Sequence, residues 1–106
     1  MIDLLDGEFE ERVARSKEPV LVEFWAPWCG PCLKYAPTVD IVVGEFRGEL
    51  RFLKVDTDEN PRLPRELGVA SIPTLILFKK GEEVARFVGR QPAERLRAGI
   101  AAALKE

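Results

Sequence analysis

The run Val20-Leu21-Val22-Glu23-Phe24 leads into Trp25-Ala26-Pro27-Trp28-Cys29-Gly30-Pro31-Cys32, and no other stretch constrains the fold of this 106-residue chain as tightly. Val20 to Ala26 reads as a central strand, apolar on both faces except at Glu23. Pro31 has no N–H to lose and a fixed φ, so it suits the first turn of a helix. That helix extends to about Phe46, because Tyr35, Val39, Val42 and Phe46 recur at spacings of three and four. Both cysteines of the chain therefore lie where a strand hands over to a helix, with two residues between them. This is the context in which Cys-x-x-Cys carries thiol–disulfide chemistry.

The spacing suits the reaction. A disulfide needs alpha carbons about 4.4–6.8 Å apart, which positions i and i+3 of a first helical turn can meet. Unpaired N–H groups and the positive end of the helix dipole there favour thiolate over thiol. Cys29, at the helix mouth, is expected to be the more exposed sulfur and to attack a substrate disulfide. Cys32, one turn in, resolves the mixed disulfide. Gly30 adds no side chain between the sulfurs. A zinc site needs four ligands, and with two cysteines and no histidine a monomer could complete one only with carboxylates, a poor reading of this motif. An inert structural bridge is a poor alternative, because so short a loop stabilises little.

Two charged residues interrupt apolar runs. Glu23 is either a strand-edge carboxylate that reaches water or a buried group with a raised pKa that exchanges a proton near Cys32. Lys54, in the strand Leu50 to Val55, is either an exposed edge lysine or the partner of Glu23 on the neighbouring strand. Asp56, Asp58 and Glu59 form an acidic turn read as solvated caps, with too few ordered oxygens for a calcium loop.

The rest of the chain reads as scaffold. Residues 3–5 suggest a short edge strand. Asp6 is placed to cap a helix from Gly7 to about Ser16, with Phe9 and Val13 on its apolar side. Asn60 is placed to cap a short helix from Pro61 that ends by Gly68. Pro37 should kink the long helix. Thr74 to Phe78 and Glu83 to Val88 form a hairpin about Lys79-Lys80-Gly81-Glu82. Pro92 lies in the first turn of a last helix, whose buried stripe is Leu96, Ile100 and Leu104, with Arg95 and Arg97 solvated.

The segment Val20 to Cys32 resembles the active-site segment of the thioredoxin family, nearly letter for letter. The match continues at Ala36-Pro37, Val55 to Pro61, Ile72-Pro73-Thr74, Phe78 to Gly81 and Val88-Gly89. Trp-Cys-Gly-Pro-Cys with Ile-Pro-Thr about 40 residues later is a specific combination. Three positions depart from the commonest pattern: Glu23 for aspartate, Leu33 for lysine or arginine, and Ser71 for glycine. Glu23-Phe24 is also similar to protein disulfide isomerase domains, although those usually carry histidine where Pro31 stands.

The resemblance implies an α/β thioredoxin fold, a mixed four- or five-stranded sheet with helices on both faces, as one domain over residues 1–106. It implies a protein-disulfide reductase and electron carrier, with Glu23 as proton exchanger and Lys54 beside it. It also implies a cis Pro73 against the disulfide, which leaves the Ile72 backbone within reach of an extended client peptide. Gly89 is then expected beside the cysteines, where a side chain would block docking, and Trp28 with Gly30 and Pro31 completes the client-binding surface. No bound cofactor or metal is expected. Reducing equivalents come from a partner thioredoxin reductase, expected to be NADPH-dependent, and pass to client proteins with disulfides. A disulfide oxidase or isomerase of the same fold is the alternative, with a potential of about -180 to -120 mV instead of about -270 mV. A protein-binding subunit without enzymatic activity is another, against which the retention of both cysteines argues.

Sixteen basic and eighteen acidic residues, a net charge of -2, lack the basic footprint of a nucleic-acid binder. No apolar run approaches the length of a membrane span. The chain opens Met1-Ile2-Asp3-Leu4-Leu5-Asp6, without the basic and apolar regions of a signal peptide. A cytoplasmic monomer is the expectation.

Overall fold

The computed structural model describes residues 2–106. In chain order the elements are β1 (Val20–Trp25), α1 (Gly30–Gly44), β2 (Arg51–Asp56), α2 (Arg62–Glu66), β3 (Thr74–Lys79), β4 (Glu82–Val88) and α3 (Ala93–Leu104). The four-stranded sheet has the order β2-β1-β3-β4. β1 runs parallel to β2 and antiparallel to β3, and β3 pairs antiparallel with β4. The mixed sheet follows from the connections, since α1 supplies the crossover that a parallel pair needs and the β3–β4 link is a tight hairpin.

β1 has neighbours on both edges and cover on both faces, which accounts for its unbroken apolar run. Leu21 faces a core built with Tyr35, Val39 and Val42 of α1, Leu75 and Leu77 of β3, and Leu96 and Ile100 of α3. Val20, Val22 and Phe24 face the opposite core, with Leu4, Val13, Leu53, Leu63 and Ile76. Helices thus cover both faces of the sheet. Glu23 shares the parity of Leu21, so it points to the α1 side.

Several local expectations are corrected. Residues 3–5 make only an isolated bridge, Asp3 to Lys54, at the outer edge of β2. The segment after Asp6 is not a regular α-helix. A 3-10 turn, Asp6–Glu8, runs into a wide π-type turn, Glu10–Ala14, closed by Arg15 N–H donating to Glu10 O at 3.0 Å. Val13 is still buried there, and the Phe9 ring meets Phe78 edge-on at 5.3 Å. Pro37 lies inside α1, as its place in the expected helix required. In α3, Ala103 is the buried residue and Leu104 is half-buried. Arg97 is not simply solvated, because it holds Glu45 in a two-pronged ion pair that ties α3 to the end of α1.

The two expected caps are exchanged between segments. The Asp6 carboxylate accepts from the N–H groups of Arg62 (3.0 Å) and Leu63 (2.8 Å), so it caps α2. Asn60 instead accepts the Asp6 N–H through Oδ1 at 3.0 Å. A five-residue helix has little stability of its own, so this remote cap matters. Asp6→Ala is expected to cost about 1 kcal/mol and to lower Tm by about 4 °C or more. Asp6→Asn, which keeps one acceptor, should recover much of it. Thermal unfolding of the two variants checks this, and equal Tm values for Asp6→Ala and the parent chain would refute it.

The β3–β4 turn needs φ > 0 at both central residues, and Lys80 (53°) and Gly81 (82°) provide it. A side chain at Gly81 would also place its Cβ 2.9 Å from Ala14 O. Beside this turn, at the end of β3, the Lys79 ammonium donates to Leu104 O at 3.1 Å and to Glu106 O, a cation at the carbonyl end of α3.

Candidate active site

Cys29 and Cys32 are joined as a disulfide, with alpha carbons 5.2 Å apart. Cys29 is the N-cap of α1, in extended conformation, and its Sγ accepts the Cys32 N–H at 3.2 Å. The same N–H would stabilise a Cys29 thiolate once the bond is reduced, together with the helix dipole. Pro31 occupies the first turn, as its missing N–H allows. The expected contrast in exposure is small. Cys29 is 4% and Cys32 2% exposed. Ala26 clusters with the two cysteines, and the half-buried Trp25 and Ile72 pack against that cluster, so the helix mouth is not an open one.

Glu23 is 1% exposed, and Lys54 stands opposite it in the β1–β2 register. Lys54 Nζ lies 3.8 Å from Glu23 Oε1, an ionic contact too long for a hydrogen bond. That oxygen is buried without a hydrogen-bond partner. Burial pushes the Glu23 carboxyl above its ordinary range; the Lys54 charge opposes the rise, and Asp40 adds to it. Lys54 also lies against the rings of Trp25 (5.6 Å) and Phe52 (5.9 Å). Its far side opens on a small cavity of about 150 Å³ bordered by Asp3, Asp56 and Glu59, so the ammonium connects the buried carboxylate with the surface.

The Ile72–Pro73 bond is cis. Gly89 N–H donates to Pro73 O at 2.8 Å, which ties the end of β4 to the start of β3, next in sequence to the Ile72 that packs against the cysteines. Gly89 has φ 78°, and a Cβ on it would meet nothing within 4 Å. Within the chain, the backbone conformation and not a close contact calls for glycine there. Gly30 is likewise open above its Cα. Trp28 is 68% exposed, and its Nε1–H donates to Asp58 Oδ2 at 2.7 Å. Asp58 is therefore more than the solvated cap its acidic turn suggests, although Asp56 Oδ1 does accept the Asp58 N–H at 3.0 Å. No local pattern joins Asp58 to a tryptophan 30 residues away. A cleft of about 400 Å³ runs from Trp28 past Pro61, Pro64 and Val69 to Ile72, and its α2 wall was not evident from sequence.

A disulfide between the N-cap and the third residue of a helix, fed by the central strand of a mixed sheet and packed against Ile72 of a cis Ile72–Pro73 bond, defines a thiol–disulfide oxidoreductase of the α/β class. The thioredoxin family model matches residues 1–102. Thioredoxin 1 of Nostoc is 47% identical over 91 residues, covering 86% of this chain and 85% of that protein. Thioredoxin of Haemophilus influenzae is 44% identical over 96 residues, 91% of this chain and 90% of its own. Thioredoxin M4, chloroplastic, of Arabidopsis thaliana is 46% identical over 94 residues, 89% of this chain and 49% of that protein. The chain belongs to the thioredoxin family, and its Cys29–Cys32 pair makes it a protein-disulfide reductase. Among the described residues no helix is long and apolar enough to cross a membrane, and no group of three or more His, Cys, Asp or Glu side chains could hold a metal ion.

Proposed function

We propose that the chain works as a single-domain, monomeric cytoplasmic carrier of reducing equivalents, with Cys29 as attacking thiolate and Cys32 as resolving thiol. The Cys29 thiolate attacks a client disulfide, forming a Cys29–client bond and releasing one client thiolate. Cys32, deprotonated by Glu23, attacks the Cys29 sulfur and releases the second client thiolate. Two electrons pass to the client, and the chain is left with the Cys29–Cys32 disulfide. A partner thioredoxin reductase, supplied by NADPH, returns it to the dithiol. The observation that carries this reading is the disulfide at the N-terminus of α1, with Cys29 Sγ on a helix N–H.

Trp28, Gly30, Pro31, Ile72, Pro73 and Gly89 form the client-docking surface in this scheme. Lys54 moderates the charge of Glu23. The exposed indole of Trp28, held by Asp58, gives a rigid apolar rim that a client backbone can lie against. Reduction of insulin by the dithiol form, with NADPH and a thioredoxin reductase regenerating it, tests the whole scheme. A reduction potential near about -270 mV is expected, and one near about -120 mV would make the protein an oxidant. Trp28→Ala should raise KM for protein clients about tenfold, as loss of a central aromatic contact does. An unchanged KM would remove Trp28 from the docking surface.

A further inference from the structure

A second cavity, of about 510 Å³, is lined by Tyr35, Thr38, Arg90, Gln91, Pro92 and Ala93. It shares no residue with the first. Four observations give it a chemical character. Tyr35 is 2% exposed, yet its hydroxyl has no hydrogen-bond partner. The Gln91 main-chain N–H faces that hydroxyl from beyond hydrogen-bond geometry, and two charges of opposite sign act on it, the Glu23 carboxylate behind it and the Arg90 guanidinium. Arg90 is exposed and has no ion-pair partner among the described residues. Finally, α3 is twelve residues long and begins without a side-chain cap, because its N-cap is Pro92. A phenol, a guanidinium and an uncapped helix N-terminus converge, and all of them serve an acceptor carrying negative charge. None of the lining residues is acidic. Glu94, exposed in the first turn of α3, is the nearest acid in sequence and lies outside the lining.

We propose that this cavity is a specificity subsite that takes the carboxylate of an Asp or Glu a few residues from the client's cysteine. The subsite rests on the reductase reading and names the clients that reading leaves open. Its position suits the task. Tyr35 follows Cys32 by three residues of α1, about 4.5 Å of helix rise. Arg90 follows Gly89, whose N–H is bound to Pro73 O, and Pro73 follows Ile72, which packs against the cysteines. A client held at Cys29 in extended form advances about 3.3 Å per residue, so a side chain two or three positions along reaches the cavity. The phenol is held neutral, since burial pushes its pKa up, and it therefore stays a donor at neutral pH.

The test uses disulfide-bonded peptides that differ only in bearing Glu, Ala or Lys three residues from the cysteine, on either side. The readout is the ratio of kcat/KM for the Glu and Lys peptides, which cancels any change in the shared chemistry. The intact protein should favour Glu by about fivefold on one side of the cysteine. Arg90→Glu should invert that preference, and Tyr35→Phe should reduce it while leaving the charge of the chain unchanged. Arg95→Glu, a reversal on α3 outside the cavity, should leave the ratio standing, which separates a local site from long-range steering. A ratio near one, or a preference that survives Arg90→Glu, overturns the subsite while turnover of the Ala peptide keeps the reductase reading. No turnover of any peptide would overturn both.

Discussion

Cys32→Ser is expected to accumulate a mixed disulfide between Cys29 and its client, stable enough to isolate, while Cys29→Ser forms none. Net disulfide reduction should fall by on the order of 10³-fold or more in either variant, because residues that act as a unit cannot be removed singly without losing the whole. The two losses differ in kind. Without Cys32 the first exchange still occurs, and the Cys29–client bond waits for an external thiol. Without Cys29 the entry step is lost, because only Cys29 holds the N-cap position, where the Cys32 N–H and the helix dipole favour its thiolate. Mass spectrometry of peptides from the trapped complex identifies the bonded cysteine. Because Cys29 is itself only 4% exposed, the assignment rests on the N-cap position and the Cys32 N–H more than on accessibility. Trapping through Cys32 in Cys29→Ser, at a rate like that of the converse variant, would reverse the roles.

Glu23→Gln is expected to slow resolution of the mixed disulfide by about 10²-fold, the lower range for loss of a positioned base, while making the fold more stable at pH 7. The kinetic half follows from the thiol, since only the thiolate of Cys32 attacks. The stability half follows from burial. Desolvation raises the Glu23 carboxyl above the ordinary glutamate value of about 4.5, against the Lys54 charge. Between 4.5 and the raised native value the folded state binds more protons than the unfolded one, so stability falls as pH rises through that window. Glutamine has no charge to desolvate, and Lys54, with 20% of its side chain exposed, keeps contact with water. The variant should gain about 1 kcal/mol or more at pH 7, and the gain should vanish as pH falls toward 4.5. Denaturant unfolding across pH measures the gain, and stopped-flow resolution of the mixed disulfide measures the rate. Resolution as fast as in the parent chain would leave Glu23 a structural partner of Lys54 alone.

The elements most legible in the sequence are those whose cause is local. The Val20 to Phe24 run, the three-and-four spacing from Tyr35 to Val42, and Lys80-Gly81 between two apolar strands each carry their own signal. β1, α1 and the β3–β4 hairpin formed within a residue or two of the expected bounds. The segment after Asp6 was harder. Phe9 and Val13, four apart, suit an α-helix, yet the wider turn that forms also buries Val13 and sets Phe9 against Phe78. Spacing alone cannot separate helical forms that differ by one residue per turn.

The pairing of Glu23 with Lys54 lay between these cases. Two charges in adjacent apolar strands are suggestive, but the contact requires that β1 and β2 be neighbours in the register that sets one against the other. Leu33, where the family more often has a cation, is 53% exposed beside the disulfide, and nothing in the structure explains that substitution.

The sequence by itself determined the redox class and the order of elements. Cys-x-x-Cys, the strand before it and the helix after it are bound by covalent spacing and local periodicity, which survive in any environment. Only the tertiary structure decided which distant groups meet. Asp6 caps a helix 56 residues away, Asp58 holds Trp28, and Arg90 lines one cavity with the buried Tyr35. Each depends on how far a loop carries one side chain toward another, and short polar side chains have many acceptable partners until the cores on the two faces of the sheet have set the distances.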